Sequence, residues 1–378
     1  MTTSMNQLAA AVGQLLWVGF PGHELPDELR ARIGAGEVGG VILFRRNLAD
    51  LAQVRALCAT LHAAAPRTAP LLLSVDQEGG RVQRLRAPAT EWPPMLSLGT
   101  RLAAAGSDAT RRAAVLELAE QVGLAIGREV AAAGFDVDFA PVLDVHTNEA
   151  NPVIGDRSFA RDADAVAQLA GRFAAGLAVA GVISCGKHFP GHGDTHLDSH
   201  LALPRVDHPL ERLRRVELYP FAQLASLPTL MTAHVVFSAV DPDVPATLSS
   251  RVLTDLLRGE LGYRGLIVSD DLEMKAIADH YGVEDAVVRG LLAGCDAFLL
   301  CHQADLQRRA HAALLAAAER DARVRTRVLE SAARHAALKA SHFAARAVPD
   351  AAVIGSPAHL ALARTLGEPI DASSAWTA

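Results

Sequence analysis

The chain has 378 residues, half of them hydrophobic and 21% charged, which is the balance of a globular enzyme large enough for one barrel-sized domain or two smaller ones. A formal net charge of -6, with no basic block and no aromatic-basic interleaving, argues against a nucleic-acid partner. Cys58, Cys185, Cys295 and Cys301 are scattered without a C-x-x-C pair, and the last three lie in or beside apolar runs, so they read as buried thiols rather than a disulfide framework or a structural zinc site. The first residues carry no basic n-region, and no segment has the length and apolarity of a membrane span, so the expectation is a cytoplasmic protein without a membrane partner.

In chain order, short apolar runs alternate with alanine- and leucine-rich helices. Leu15–Gly19 is the first candidate strand, followed by a helix around Asp27–Ile33. Gly39–Phe44 is the second, with Asn47 as N-cap of a helix through Leu61. Pro70–Val75 is the third and ends at Asp76. A long loop precedes a helix from about Asp108 to Ala132, then Phe135–Val142, another long loop and a helix from Asp162 to Ala178. Val182–Cys185, Pro228–Ala233, Gly265–Val268 and Cys295–Leu300 complete the strands, and Leu248–Ser250 caps a further helix. Eight runs without strict polar alternation predict a parallel sheet covered on its outside. An eight-stranded (β/α) barrel in a single catalytic domain accounts for the count and the length, with a doubly wound open sheet as the alternative. Two helices, about Leu306–Glu319 and Val324–Ala340, close the pattern. Residues 1–345 are taken as the barrel domain and 346–378 as a C-terminal extension packed on the surface or partly disordered.

The polar residues that carry chemistry recur at the C-terminal ends of these strands: Asp76, Asp144, Lys187, His188, His234 and Asp270. In a barrel such ends converge on one face. The stretch Gly186–His200 holds histidines at 188, 192, 196 and 200, a spacing that would stack on one face of a helix. Pro190, Gly191 and Gly193 oppose a helix, so the stretch is read as a loop. Within it, Asp198 lies two residues before His200, close enough for a carboxylate to fix the imidazole tautomer and make a general acid/base. Asp76–Arg84 contains Gly79-Gly80, which permits a turn folding Arg81 and Arg84 back toward Asp76. Asp76 can accept from two adjacent sugar hydroxyls, while Arg81 can instead brace the loop. Asn151–Phe159 puts Arg157 in a constrained loop, either on substrate or paired with Asp156 or Asp144. In Ser269-Asp270-Asp271 one aspartate can cap the following helix while the other faces the cavity. A metal-dependent barrel hydrolase, with His188, His192, His234 and Asp270 as ligands, is the competing class.

Taken in order over about residues 10–300, Asp76–Arg84, Asn151–Phe159, Lys187–His200, Thr232–Val235 and Ser269–Leu272 resemble glycoside hydrolase family 3, and within it the single-domain bacterial β-N-acetylhexosaminidases. The resemblance implies a barrel enzyme that releases terminal β-linked N-acetylglucosamine with retention, without cofactor or metal. It implies Asp270 as nucleophile, His200 as acid/base supported by Asp198, and Asp76, Arg84, Arg157, Lys187 and His188 as substrate-binding residues. It further implies action on 1,6-anhydro-N-acetylmuramic acid muropeptides in peptidoglycan recycling, by a monomer. Arg45, between Phe44 and Arg46, stands where relatives commonly have a smaller residue, and the segment beyond about residue 345 lies outside the shared pattern.

Overall fold

The computed structural model describes residues 2–196 and 203–368, the side chains of residues 2–6 excepted. Eight parallel strands close into a barrel: β1 (Leu16–Val18), β2 (Gly40–Ile42), β3 (Leu72–Val75), β4 (Val137–Asp138), β5 (Ile183–Phe189), β6 (Thr229–Thr232), β7 (Leu266–Asp271) and β8 (Ala297–Leu300). Each pairs with its neighbours in sequence, and β1 pairs with β8 to close the ring. The expected eight-stranded barrel is what the chain forms. Inward-pointing side chains from alternate positions, including Trp17, Ile42, Leu72, Val137, Phe139, Met231 and Leu299, fill the interior as a packed core.

The local expectations hold unevenly. The strand expected over Phe135–Val142 is only the pair Val137–Asp138, because Pro141 removes a ladder donor. Asn47 does not cap a helix. Its amide bonds Phe20 O and Gly22 O, fastening the β2 loop to the β1 loop, and Asp50 caps Leu51–Ala64 by accepting from Gln53 N at 2.9 Å. Gly186–Phe189, expected in a loop, continues β5. Helices Thr2–Gln14, Leu96–Ala104 and Pro357–Gly367 were not legible in the apolar pattern. All four cysteines are buried free thiols.

The helix Ala322–Ala345 closes the N-terminal end of the barrel. Leu338 and Phe343 pack against the interior core, and His335 Nε2 lies 3.2 Å from Trp17 Nε1. Two buried carboxylates at that end, Asp136 and Asp296, are held by His342 and Arg346 and by Arg258, Arg327 and Arg334. Polar groups at this end satisfy one another, which reads as stability; the open chemistry lies at the other end. Among the described residues no helix is long and apolar enough to cross a membrane.

Candidate active site

Two interruptions in the barrel ladder shape the opposite, C-terminal face. Between β5 and β6 the pairing steps from Gly186–Leu230 to Phe189–Thr232, three residues against two. Between β7 and β8 it steps from Val268–Ala297 to Asp271–Leu299, again three against two. Each extra residue is a bulge that re-aims side chains at a barrel rim. The first bulge carries Lys187 and His188, and the second carries Ser269 and Asp270.

Above them is a cavity of about 440 Å³, within the range of small-molecule sites. Asp76, Arg84, Arg157, Lys187, His188 and Asp270 all line it, so six of the eight residues expected at the site come together. His200 and Asp198 lie outside the described residues. The floor is apolar, from Ile42, Phe139, Met231 and Leu299 at the top of the barrel core.

One wall is a charge network. Gly79 and Gly80, at φ +92 and +58, make the turn that only glycine adopts readily and return the chain so that Arg84 Nη2 reaches Asp76 Oδ2 at 3.0 Å. Lys187 Nζ bonds Asp76 Oδ1 at 2.9 Å and Glu78 Oε1 at 2.6 Å. Arg157 does not pair with Asp156 or Asp144. Its Nε and Nη2 form a two-pronged bond to Glu78, both at 2.8 Å. Arg81 takes the bracing role, donating to Val153 O and Ile154 O and pairing with Asp156. Burial alone would raise the Glu78 carboxyl, but Arg157 and Lys187 beside it bring it down to about 2. The same contest, won by Lys187 and Arg84, holds Asp76 well below the usual carboxylate range. Burial would discharge Lys187, and Asp76 and Glu78 instead hold its proton more tightly than usual.

Glu78 was not singled out for the site from sequence. Its signal is the strand-like spacing Asp76-x-Glu78, which puts both carboxylates on one side of the chain. Asp144, fully buried, accepts from His188 N and His192 N and lies 2.6 Å from His188 Nδ1. A carboxylate only accepts, so Nδ1 carries a proton, and Nε2 lies 3.5 Å from Arg157 Nη2 at the cavity. The loop histidines therefore do separate jobs. His192, lowered to about 4 by burial, sits against Thr195 Oγ1 at 2.7 Å, and His234 lies between Thr247 Oγ1 and Asp271 O. Among the described residues no group of three or more His, Cys, Asp or Glu side chains is arranged to hold a metal ion.

Neither aspartate after Ser269 caps the following helix, whose N-cap is Met274 without a side-chain bond, and both line the cavity. They differ in what they hold: Asp271 Oδ1 accepts from Glu273 N at 3.1 Å and Cys301 N at 3.3 Å, fixing the loop, while Asp270 Oδ1 accepts from Asp271 N at 2.8 Å. Phe44 and His302 stack at the rim, 5.8 Å between ring centres, with Arg46 4.4 Å above Phe44.

Beneath the network lies Asp138, fully buried, whose Oδ1 accepts from Gln77 N at 2.9 Å and whose Oδ2 has no partner. Burial pushes its carboxyl up to about 8. The folded chain therefore keeps a proton that the unfolded chain gives up near pH 4, and stability falls as pH rises from about 4 toward 8. Asp138→Asn keeps the acceptor for Gln77 and removes the titration. It should melt close to the wild type at pH 4 and above it at pH 8; an equal shift at both pH values contradicts this reading.

The geometry agrees with the comparisons. Residues 7–336 match the glycosyl hydrolase family 3 N-terminal domain. A β-hexosaminidase of Chromobacterium violaceum is 44% identical over 288 residues, 76% of this chain and 78% of that protein. A β-hexosaminidase of Pseudomonas aeruginosa is 45% identical over 291 residues, 76% of this chain and 82% of that one. Among solved structures, a family 3 β-N-acetylglucosaminidase from Paenibacillus superposes with a TM-score of 0.86 at 44% identity, covering 95% of this chain and 68% of that one. NagZ from Neisseria gonorrhoeae in complex with N-trifluoroacetyl-D-glucosamine gives 0.77 at 33% identity, covering 94% and 98%. With its closed barrel and its cavity at the C-terminal face, the chain belongs to glycosyl hydrolase family 3 and is a glycoside hydrolase.

Proposed function

We propose that this chain is a retaining exo-β-N-acetylglucosaminidase in which Asp270 is the nucleophile and His200, supported by Asp198, is the acid/base. The observation that carries the proposal is that Asp270, on a bulge, lines the same cavity as a network of fixed hydrogen-bonding charges. Asp270 Oδ1 accepts from the N–H of Asp271, which leaves Oδ2 for the anomeric carbon. Asp76 spends one lone pair on each of Lys187 and Arg84, leaving both oxygens able to accept from neighbouring hydroxyls of the sugar. Lys187 and Arg157, locked by Glu78, donate to sugar oxygens without reorganising, and His188 Nε2 accepts a further hydroxyl.

Asp270 attacks the anomeric carbon as His200, protonated, gives its proton to the departing oxygen. The neutral imidazole then takes a proton from water, which attacks the same carbon and returns the carboxylate. The substrate proposed is N-acetylglucosamine linked to 1,6-anhydro-N-acetylmuramic acid, with or without its peptide, in cytoplasmic peptidoglycan recycling. The similarity to β-hexosaminidases and to a structure holding an N-acylated glucosamine supports the sugar assignment.

A pocket fitted to the 2-acetamido group discriminates strongly, because its polar groups are left unpaired by a sugar that lacks the amide. The p-nitrophenyl N-acetyl-β-glucosaminide should exceed the corresponding glucoside in kcat/KM by on the order of 10²-fold or more. Equal specificity constants for the two would overturn the N-acetyl assignment.

A further inference from the structure

The slip between β7 and β8 costs ladder hydrogen bonds at the segment that presents Asp270. Side chains take over. Ser269 Oγ accepts from Leu299 N at 3.1 Å, and His234, at the end of β6, places Nε2 3.0 Å from Asp271 O. A carbonyl oxygen only accepts, so Nε2 carries the ring proton. Nδ1 lies 2.8 Å from Thr247 Oγ1, a hydroxyl that also lies 3.1 Å from Ala233 O and 2.8 Å from Thr232 Oγ1. His234, Thr247, Thr232 and Ser269 are all fully buried. The ring is held in one orientation between Asp271 O and the Thr247 hydroxyl.

Asp271 is thereby fixed from three directions. Its carbonyl is held by His234, and its carboxylate by Cys301 N and Glu273 N. Its own N–H donates to Asp270 Oδ1 at 2.8 Å. The last bond is the outcome of the others, since the backbone of Asp271 cannot turn without breaking the bond from β6.

We propose that His234 is a positioning residue: acting through the backbone of Asp271, it sets the angle at which Asp270 presents its carboxylate to the cavity. The inference rests on the reading of Asp270 as nucleophile. A nucleophile misplaced by a fraction of an ångström loses rate without the sugar losing its binding partners, which belong to the network of Asp76, Glu78, Lys187 and Arg157.

The test measures single-turnover formation of the glycosyl-enzyme from 2,4-dinitrophenyl N-acetyl-β-glucosaminide, alongside the inhibition constant of N-acetylglucosamine. His234→Ala should slow formation by about 10²-fold with the inhibition constant held within about twofold. His234→Gln, whose amide nitrogen reaches the Nε2 position, should recover most of the rate. Thr247→Val, which removes the hydroxyl that orients the ring, should give an intermediate loss, and it carries the test with His234→Gln if His234→Ala does not fold. Loss of rate matched by equal weakening of N-acetylglucosamine in every variant would make His234 a general structural residue and overturn the proposal. A label on Asp270 formed at the wild-type rate in the variants would overturn this inference alone. A label on another carboxylate in the wild type would overturn the nucleophile reading beneath it.

Discussion

Asp270→Ala should lower kcat by on the order of 10⁴-fold or more, the scale on which removal of a nucleophile acts, while the protein stays folded. The carboxylate is half-buried at the cavity and accepts from the N–H of the next residue, so its removal leaves no buried ion without a partner. What is lost, in the proposed mechanism, is the electron pair that attacks the anomeric carbon. Azide should restore turnover of a donor with a good leaving group, because a small anion can enter the space that the carboxylate leaves. The product should be the α-glycosyl azide, identified by the coupling constant of its anomeric proton. If the substrate's own acetamido oxygen made the attack, azide would give no rescue and the product would pass through an oxazoline.

Glu78→Ala should cost about 3–5 kcal/mol of stability, the price of leaving a buried partner charge uncompensated. Glu78 is the only carboxylate bonded to both Arg157 and Lys187 among the described residues, through contacts of 2.6 and 2.8 Å in a fully buried site. Without it, two cations face each other and Asp76 alone remains to Lys187. Urea unfolding should show the loss, and kcat/KM for the N-acetyl sugar should fall with it. The pH dependence has a definite sign. Because the folded Glu78 carboxyl is depressed to about 2, its contribution is present above the ordinary glutamate pKa, near 4.3, and is lost as pH falls toward 2. Wild type should therefore lose this stability on acidification through that window, and Glu78→Ala should show a shallower acid slope. A loss below about 1 kcal/mol with unchanged activity would show the pair to be no stronger than an exposed one.

Much of this arrangement was legible because strand ends are where polarity breaks an apolar run. Asp76, Lys187 and Asp270 each follow such a run, and the barrel closes them onto one face. The helix-capping role expected for one of Asp270 and Asp271 was wrong, since the following helix starts after Met274 and Asp271 instead bonds Glu273 N and Cys301 N. Partnerships were not legible. For Arg157 the sequence offered a place on substrate or a pairing with Asp156 or Asp144, both near in the chain, whereas the carboxylate it bonds, Glu78, is 79 residues away. Likewise the four-residue spacing of the histidines said nothing about His188 and His192 sharing the backbone and side-chain bonds of Asp144. Both bulges were invisible, because a register slip depends on the neighbouring strand, and a single strand's sequence does not encode it. Helix Leu96–Ala104 was lost in the long loop expected between Asp76 and Asp108; it is short and begins just after Pro93-Pro94.

The central claim is that Asp270 forms a covalent bond to the sugar, and mass spectrometry of the trapped protein tests it most directly. A 5-fluoro N-acetylglucosaminyl donor with a good leaving group slows breakdown of the intermediate more than its formation. The protein should gain one fluorosugar mass, peptide mapping should place it on Asp270, and Asp270→Asn should take up none. A label on Asp198 or Glu78, or no adduct with release of an oxazoline, would contradict the account.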